Sequence, residues 1–174
     1  MTLRRPGVRV LVGMVVGVGA LAAAAWIKPA VHLVYNPTDS APPGWYGVVP
    51  PHDFRVGDLV VAKLPSDAAI FASTRDYLPR SVPILKQIAA TAGQHVCVRD
   101  GVVYVDGIGV ARTLGVDGRQ RPLTAWPGCR RLVKDELFLL NPHHEASFDS
   151  RYFGPVDASF VRGRAVPLWT AERQ

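Results

Sequence analysis

Apolar positions fall into two regimes along the chain. Val8 to Ile27 is an unbroken run of apolar residues and glycine, interrupted only by Arg9 near its start. As a helix rising about 1.5 Å per residue it spans roughly 30 Å, the thickness of a bilayer core. Beyond it no run approaches that length. Short Val-, Leu- and Ile-rich stretches alternate instead with Pro, Gly and Asp, the pattern of brief strands joined by turns. Val48-Val49, Leu59 to Ala62, Ile84 to Thr91, His95 to Val98, Val102 to Val105, Glu136 to Leu140 and Ser159 to Trp169 read as strands. Asp100-Gly101 and Asp106-Gly107 sit where hairpin turns are needed. One short helix is expected over Ala68 to Ala72, with Ser66 or Asp67 as N-cap and Pro79 and Pro83 ending any continuation. The pattern predicts a mainly β domain with short helices, preceded by one N-terminal transmembrane helix. Residues 1–28 form the cytoplasmic tip and anchor and 29–174 the β-domain, with 106–135 as a turn-rich excursion.

Charge orients this arrangement. Arg4, Arg5 and Arg9 precede or open the apolar run and only Lys28 follows closely, which places the N-terminus in the cytoplasm and the domain on the far side. A cleaved secretory signal is the competing reading, with Ala22 to Ala25 at the cut. Its apolar region would be about 7–15 residues long, so the length here favours a retained anchor. Either way the body of the protein is exported. In an oxidising compartment the even pair Cys97 and Cys129 favours one disulfide, with two buried free thiols as the alternative. The net charge of +6 includes the N-terminal arginines, and the remainder is spread without a Lys/Arg block, so nucleic acid is not indicated as a partner. No metal site is expected, because two distant cysteines and the adjacent His143-His144 lack ligand spacing. No cofactor is implied either: Asp106-Gly107-Ile108-Gly109 lacks the strand–glycine–helix setting of a nucleotide loop.

Three polar features carry the candidate chemistry. Asn36 to Tyr46 holds Pro37, Pro42, Pro43 and Gly44 around Thr38 and Ser40, and reads as a rigid, exposed, turn-rich segment. It suits a linker leaving a membrane or a loop presenting a nucleophile. Lys86 shares a strand face with Ile84 and Ile88, either snorkelling from an edge or holding its amine in apolar surroundings. Ser147 to Pro155 packs Ser147, Asp149, Ser150 and Arg151 together, as a solvated loop or as a set of groups that orients a catalytic residue. A serine hydroxyl is a poor nucleophile until a base takes its proton, and lysine can be that base if desolvation lowers its pKa. A fall of two to three units from about 10.4 corresponds to roughly 3–4 kcal/mol.

In this order and spacing the segments resemble the S26 signal peptidases, and most closely the TraF-type peptidases of conjugative transfer systems. The resemblance covers nearly the whole chain: the apolar N-terminal run, Asn36 to Tyr46, Gly57-Asp58-Leu59-Val60, Leu85 to Gly93, Ser147 to Pro155 and Gly163-Arg164-Ala165. It implies Ser40 as nucleophile and Lys86 as general base. It further implies that the Thr38 hydroxyl helps hold the oxyanion beside the Ser40 N–H, that Ser147 bonds the lysine, and that Asp149 and Arg151 brace the site. The implied setting is a single-pass protein of the bacterial inner membrane with a periplasmic catalytic β-domain. The implied substrate is an exported precursor, a conjugative pilin, which such enzymes cleave and can cyclise; a general type I signal peptidase or a non-catalytic scaffold of a transfer apparatus are the alternatives. Departures from the wider family are Ala41 in place of a methionine, Ala92-Gly93-Gln94 in place of proline-glycine-aspartate, and Asn141-Pro142-His143-His144 in place of a glycine-aspartate-asparagine start. The first and third move the likeness from housekeeping leader peptidases toward the TraF branch. A Cys97–Cys129 disulfide and the short chain also look like that branch.

Overall fold

The computed structural model describes residues 6–26, 33–39, 41–51 and 53–171. The chain divides into two units, Met1–Val31 and His32–Gln174. The first contains helix α1 (Pro6–Trp26), which is 21 residues long. Arg4, Arg5, Ile27 and Lys28 lie outside the described residues. Among the described residues no helix is long and apolar enough to cross a membrane. The N-terminal helix is thus present, whereas the expected membrane span is not found there.

The second unit is built on two antiparallel sheets. Its elements are β1 (Leu33–Asn36), β2 (Gly44–Val49), β3 (Leu59–Ala62), α2 (Ser66–Thr74), β4 (Ile84–Ala90), β5 (His95–Arg99), β6 (Val102–Val105), β7 (Ile108–Arg112), β8 (Cys129–Arg131), β9 (Glu136–Leu140), α3 (Ser150–Phe153), β10 (Val156–Asp157) and β11 (Val161–Thr170). The larger sheet runs β1-β2-β11-β3-β4-β9-β10 and the smaller β7-β6-β5-β8. The continuous apolar runs seen in sequence belong to strands buried on both faces. On β9, Leu137 and Leu139 pack with Val60, Ile84, Ile88 and the alanines of α2. Its alternate residues Phe138 and Leu140 pack with Val96 of β5 and Val103 of β6, joining the two sheets. On β3 and β4, Val61 and Leu85 face a third cluster with Tyr46, Val48 and Ala165.

Turn chemistry follows the sequence at the smaller sheet. Asp100-Gly101 and Asp106-Gly107 each place two successive residues at positive φ, the conformation a two-residue hairpin requires. Cys97 and Cys129 stand directly opposite each other on β5 and β8 and are joined by a disulfide.

Several local expectations are corrected. The turn-rich excursion over 106–135 also contains β7 and β8, which complete the smaller sheet. Asn36 to Tyr46 is not all loop: β2 begins at Gly44 and pairs on both sides, with β1 and with β11. Gly44 makes this entry possible, with φ of +148° and a position where a Cβ would strike the carbonyl of Trp169. The segment is also less exposed than expected, because Asn36, Ala41, Gly44 and Tyr46 are buried. Helix α2 takes Pro65 as its N-cap and has no side-chain cap hydrogen bond; Asp67 sits in its first turn, where a carboxylate suits the helix dipole. The last strand starts at Val161, after a short 3-10 turn whose Ser159 N–H is capped by Asp157.

The disulfide closes an interval of 32 residues. Replacing both cysteines by serine is expected to lower the unfolding free energy by about 3 kcal/mol, read from urea denaturation. A loss below about 1 kcal/mol would mean that β5 and β8 hold their register without it.

Candidate active site

The site grows from the middle of β4. Lys86 lies between two strand neighbours in sequence that face the first core cluster, Ile84 and Ile88, and opposite Val60 of β3. Its side chain is 5% exposed, so it is a buried amine and not a snorkelling one. The Lys86 Nζ donates to Ser147 Oγ at 2.6 Å. Burial lowers the lysine pKa from 10.5 to about 8; Asp149 acts in the opposite direction and Arg151 adds to the lowering. At pH 7 roughly one amine in ten is then neutral, against about one in three thousand for a free lysine.

Ser147 follows β9 in a segment held by a buried ion pair. Asp149 and Arg151 are both fully buried. The Arg151 Nε and Nη2 donate to the two oxygens of Asp149, each at 2.8 Å. The rest of the guanidinium is taken up by carbonyls: Arg112 at 2.9 Å, Glu145 at 3.1 Å, and Asn141 and His144 at 3.0 Å each. One planar group thereby ties the end of β7, the end of β9 and the loop that presents Ser147. Burial alone would lower the Arg151 pKa, but its bonds and charge pairing with Asp149 outweigh that and raise it. Asp149 also N-caps α3 by accepting the Arg151 N–H at 3.2 Å, and accepts the Asn141 N–H at 3.1 Å. The polar cluster at Ser147 to Pro155 is therefore no solvated loop; its charged and hydroxyl groups point inward and are paired.

On the other side of the site lies the loop that follows β1. Ser40 itself lies outside the described residues. Thr38 Oγ1 donates to Asn36 Oδ1 at 2.8 Å. Thr38, Lys86 and Ser147 all line one groove of about 660 Å³, together with Val34, Leu85 and Phe148. That volume lies within the range of clefts that bind peptides and small ligands. Among the described residues no group of three or more His, Cys, Asp or Glu is disposed to hold a metal ion.

The structure thus brings Lys86, Ser147, Asp149 and Arg151 into one connected set and puts Thr38 on the same groove. Three residues contribute that the sequence reading left without a role. Asn141 donates from Nδ2 to the carbonyl of Leu85 at 3.1 Å, fixing the backbone just before Lys86. Ser150 Oγ accepts the Leu139 N–H at 3.0 Å. Asn36 organises the loop around position 40. Asparagine next to proline at a strand end, as at 36-37 and 141-142, is the one signal that could have marked two of them.

The chain belongs to the signal peptidase family, peptidase S26, whose profile matches residues 7–169. It is accordingly a serine-type peptidase of the signal-peptidase kind. Its relatives include a conjugal transfer protein TraF from Agrobacterium tumefaciens, 36% identical over 92% of this chain and 93% of that protein. A probable conjugal transfer protein TraF from Sinorhizobium fredii is 34% identical over 96% of this chain and 93% of its own length. Among solved structures, a signal peptidase I from Enterococcus faecalis aligns with 68% of this chain and 98% of its own, at 17% identity and a TM-score of 0.40.

Two stability measurements check the electrostatics. Lys86→Met fills the same slot without a charge to desolvate. The folded lysine pKa is lowered, so the wild-type cost is full below about 8 and vanishes as pH rises from 8 toward 10.5. The variant should therefore be more stable by about 1–3 kcal/mol at pH 7 and match the wild type near pH 10.5. A gain independent of pH would contradict a charged amine forced into the core. Arg151→Met leaves the buried Asp149 unpaired and should cost about 3–5 kcal/mol in the same assay, whereas a cost below 1 kcal/mol would show the pair to be dispensable.

Proposed function

We propose that the chain is a membrane-anchored endopeptidase in which Ser40 is the nucleophile and Lys86 the general base, cutting an exported precursor outside the bacterial inner membrane. The observation that carries this reading is the buried Lys86 amine, 2.6 Å from Ser147 Oγ and with its pKa brought down to about 8. Neutral Lys86 takes the Ser40 proton as the serine oxygen attacks the scissile carbonyl, and returns it to the leaving amine. Ser147 holds the amine in one direction through the cycle. The Thr38 hydroxyl and the Ser40 N–H stabilise the tetrahedral oxyanion. Water then releases the acyl group, or an amine of the same precursor does so and closes a ring.

An extended peptide suits the groove. β4 pairs with β3 through Ile84 to Gln87, but with β9 only from Gln87 onward. Ahead of Gln87 no strand covers the β9-facing side of β4, where the Leu85 carbonyl is taken by Asn141 Nδ2, so an extended peptide would join there through the Leu85 N–H.

Two observations support a site at a membrane surface. The apolar run Val8 to Ile27 is flanked by Arg4, Arg5 and Arg9 on one side, the signature of an anchor with a cytoplasmic N-terminus. The outer face of β1, β2 and β11 also exposes Leu33, Tyr35, Trp45, Val166, Leu168 and Trp169. Leu33 and Val166 flank Gly47 and Tyr35 and Trp169 flank Trp45 across the three strands, with Tyr35 and Trp45 ring centroids 5.0 Å apart. A contiguous apolar and aromatic face of this kind is suited to the interfacial zone of a bilayer. The names of the relatives, conjugal transfer protein TraF, support a role in conjugation, and within that role the substrate of this proposal is an exported pilin precursor.

The test is mass spectrometry of a candidate pilin precursor incubated with the full-length enzyme. Cleavage is expected to be lost in Ser40→Ala and in Lys86→Ala, with both proteins folded. The wild-type rate should climb about tenfold per pH unit and level off above about pH 8, where the amine is neutral. Retained cleavage by Ser40→Ala would sink the assignment. Binding of the precursor without cleavage would favour a scaffold, and restoration of bulk secretion in cells would favour a general signal peptidase.

A further inference from the structure

The loop carrying position 40 is short of hydrogen-bond donors. It runs from residue 37 to 43 between β1 and β2, and three of its seven residues, Pro37, Pro42 and Pro43, bring a carbonyl without an N–H. Those carbonyls cannot all pair within the loop. Asn36, the last residue of β1, is 6% exposed and points its side chain into this gap. Its Nδ2 donates to the carbonyls of Thr38 at 2.9 Å, Ala41 at 3.0 Å and Pro42 at 3.3 Å. Its Oδ1 accepts the Thr38 N–H at 3.2 Å and the Thr38 Oγ1–H at 2.8 Å.

Three carbonyls facing one end of the amide leave no choice in its orientation: the nitrogen must lie there, and the oxygen must face Thr38. The hydroxyl bond then has a fixed sense, with threonine donating. The amide grips the chain on both sides of residue 40, at 38 and at 41–42, and the Tyr46 hydroxyl adds a bond to the Pro42 carbonyl at 2.6 Å.

We propose that Asn36 is the positioning residue of the nucleophile loop, its buried amide holding residues 38, 41 and 42 in one arrangement and aiming the Thr38 hydroxyl. The inference rests on the reading of Ser40 as nucleophile and adds what holds the chain at 38, 41 and 42. It also gives the Thr38 hydroxyl two positions. Its proton faces Asn36 Oδ1, so stabilising an oxyanion requires the O–H to turn about the Cβ–Oγ1 bond and exchange one acceptor for the other. Among the described residues Asn36 bonds Thr38 and the carbonyls of residues 38, 41 and 42, and it acts through them.

Steady-state kinetics of the full-length enzyme on a peptide with small residues before the cut test this. Asn36→Ala should lower kcat by about a hundredfold with KM little changed, the signature of a reacting group displaced by a fraction of an ångström to an ångström. The pH at which the rate levels off should stay near 8, because the Lys86–Ser147 pair is untouched. Asn36→Asp keeps the volume and the acceptor for Thr38 but turns an oxygen toward the three carbonyls, and should be at least as slow as the alanine variant. Recovery of kcat in Asn36→Asp, a kcat within twofold of wild type in Asn36→Ala, or a displaced pH midpoint would each overturn the inference. Unfolding of both variants would overturn it too, since the amide would then be holding the sheet and not the loop. Ser40→Ala is run alongside: retained cleavage there would overturn the underlying reading of function, whereas lost cleavage with normal kcat in Asn36→Ala would overturn this inference alone.

Discussion

Everything in the site depends on keeping one amine away from water without leaving it unpartnered. Lys86 sits where a strand would ordinarily carry a third aliphatic residue, and its ammonium form is destabilised by about 3 kcal/mol relative to free lysine. The bond to Ser147 Oγ makes that burial tolerable, since a hydroxyl can accept from either protonation state of the amine. A carboxylate in the same place would have favoured the charged form and left no neutral amine for the proposed base. The structure instead keeps its carboxylate, Asp149, one step back, where Arg151 neutralises it.

The ion pair therefore has a task beyond its own energy. Fully buried pairs contribute little net stability compared with a well-packed apolar replacement, because desolvation opposes the Coulomb attraction. What Asp149 and Arg151 supply is direction: each hydrogen of the guanidinium is bonded, and the carbonyls that receive them come from three separate stretches of chain. Asn36 repeats the logic on a smaller scale across the groove. In both places a single side chain supplies donors to backbone carbonyls that no strand or helix satisfies, and a loop gains one shape without regular secondary structure.

Strands β3, β4 and β9 were legible in the sequence because each is buried on two faces by different clusters and reads as an unbroken apolar run. The paired Asp-Gly turns were legible because few other residues take two positive φ angles in succession. β7 and β8 were not, since their residues are largely exposed, β7 being broken by Gly109 and β8 being Cys-Arg-Arg. For the site, residue types and order were enough to single out Lys86 and the Ser147 to Pro155 segment. Whether the amine was dry and whether the segment was solvated depended on cross-strand neighbours far away in sequence, such as Val60 and Leu139. Asn36 gave the least warning, because four of its five bonds go to backbone groups, and their direction leaves no trace in residue identity.

The most direct measurement is the titration of Lys86 itself, followed by NMR of the folded Ser40→Ala protein carrying 13C-labelled lysine Cε, with Lys86→Met assigning the signal. The account predicts a midpoint near pH 8, well below the ordinary lysine value of 10.5. A Lys86 resonance that titrates at 10 or above would contradict it, because the buried amine would then be a charged structural group and not a base.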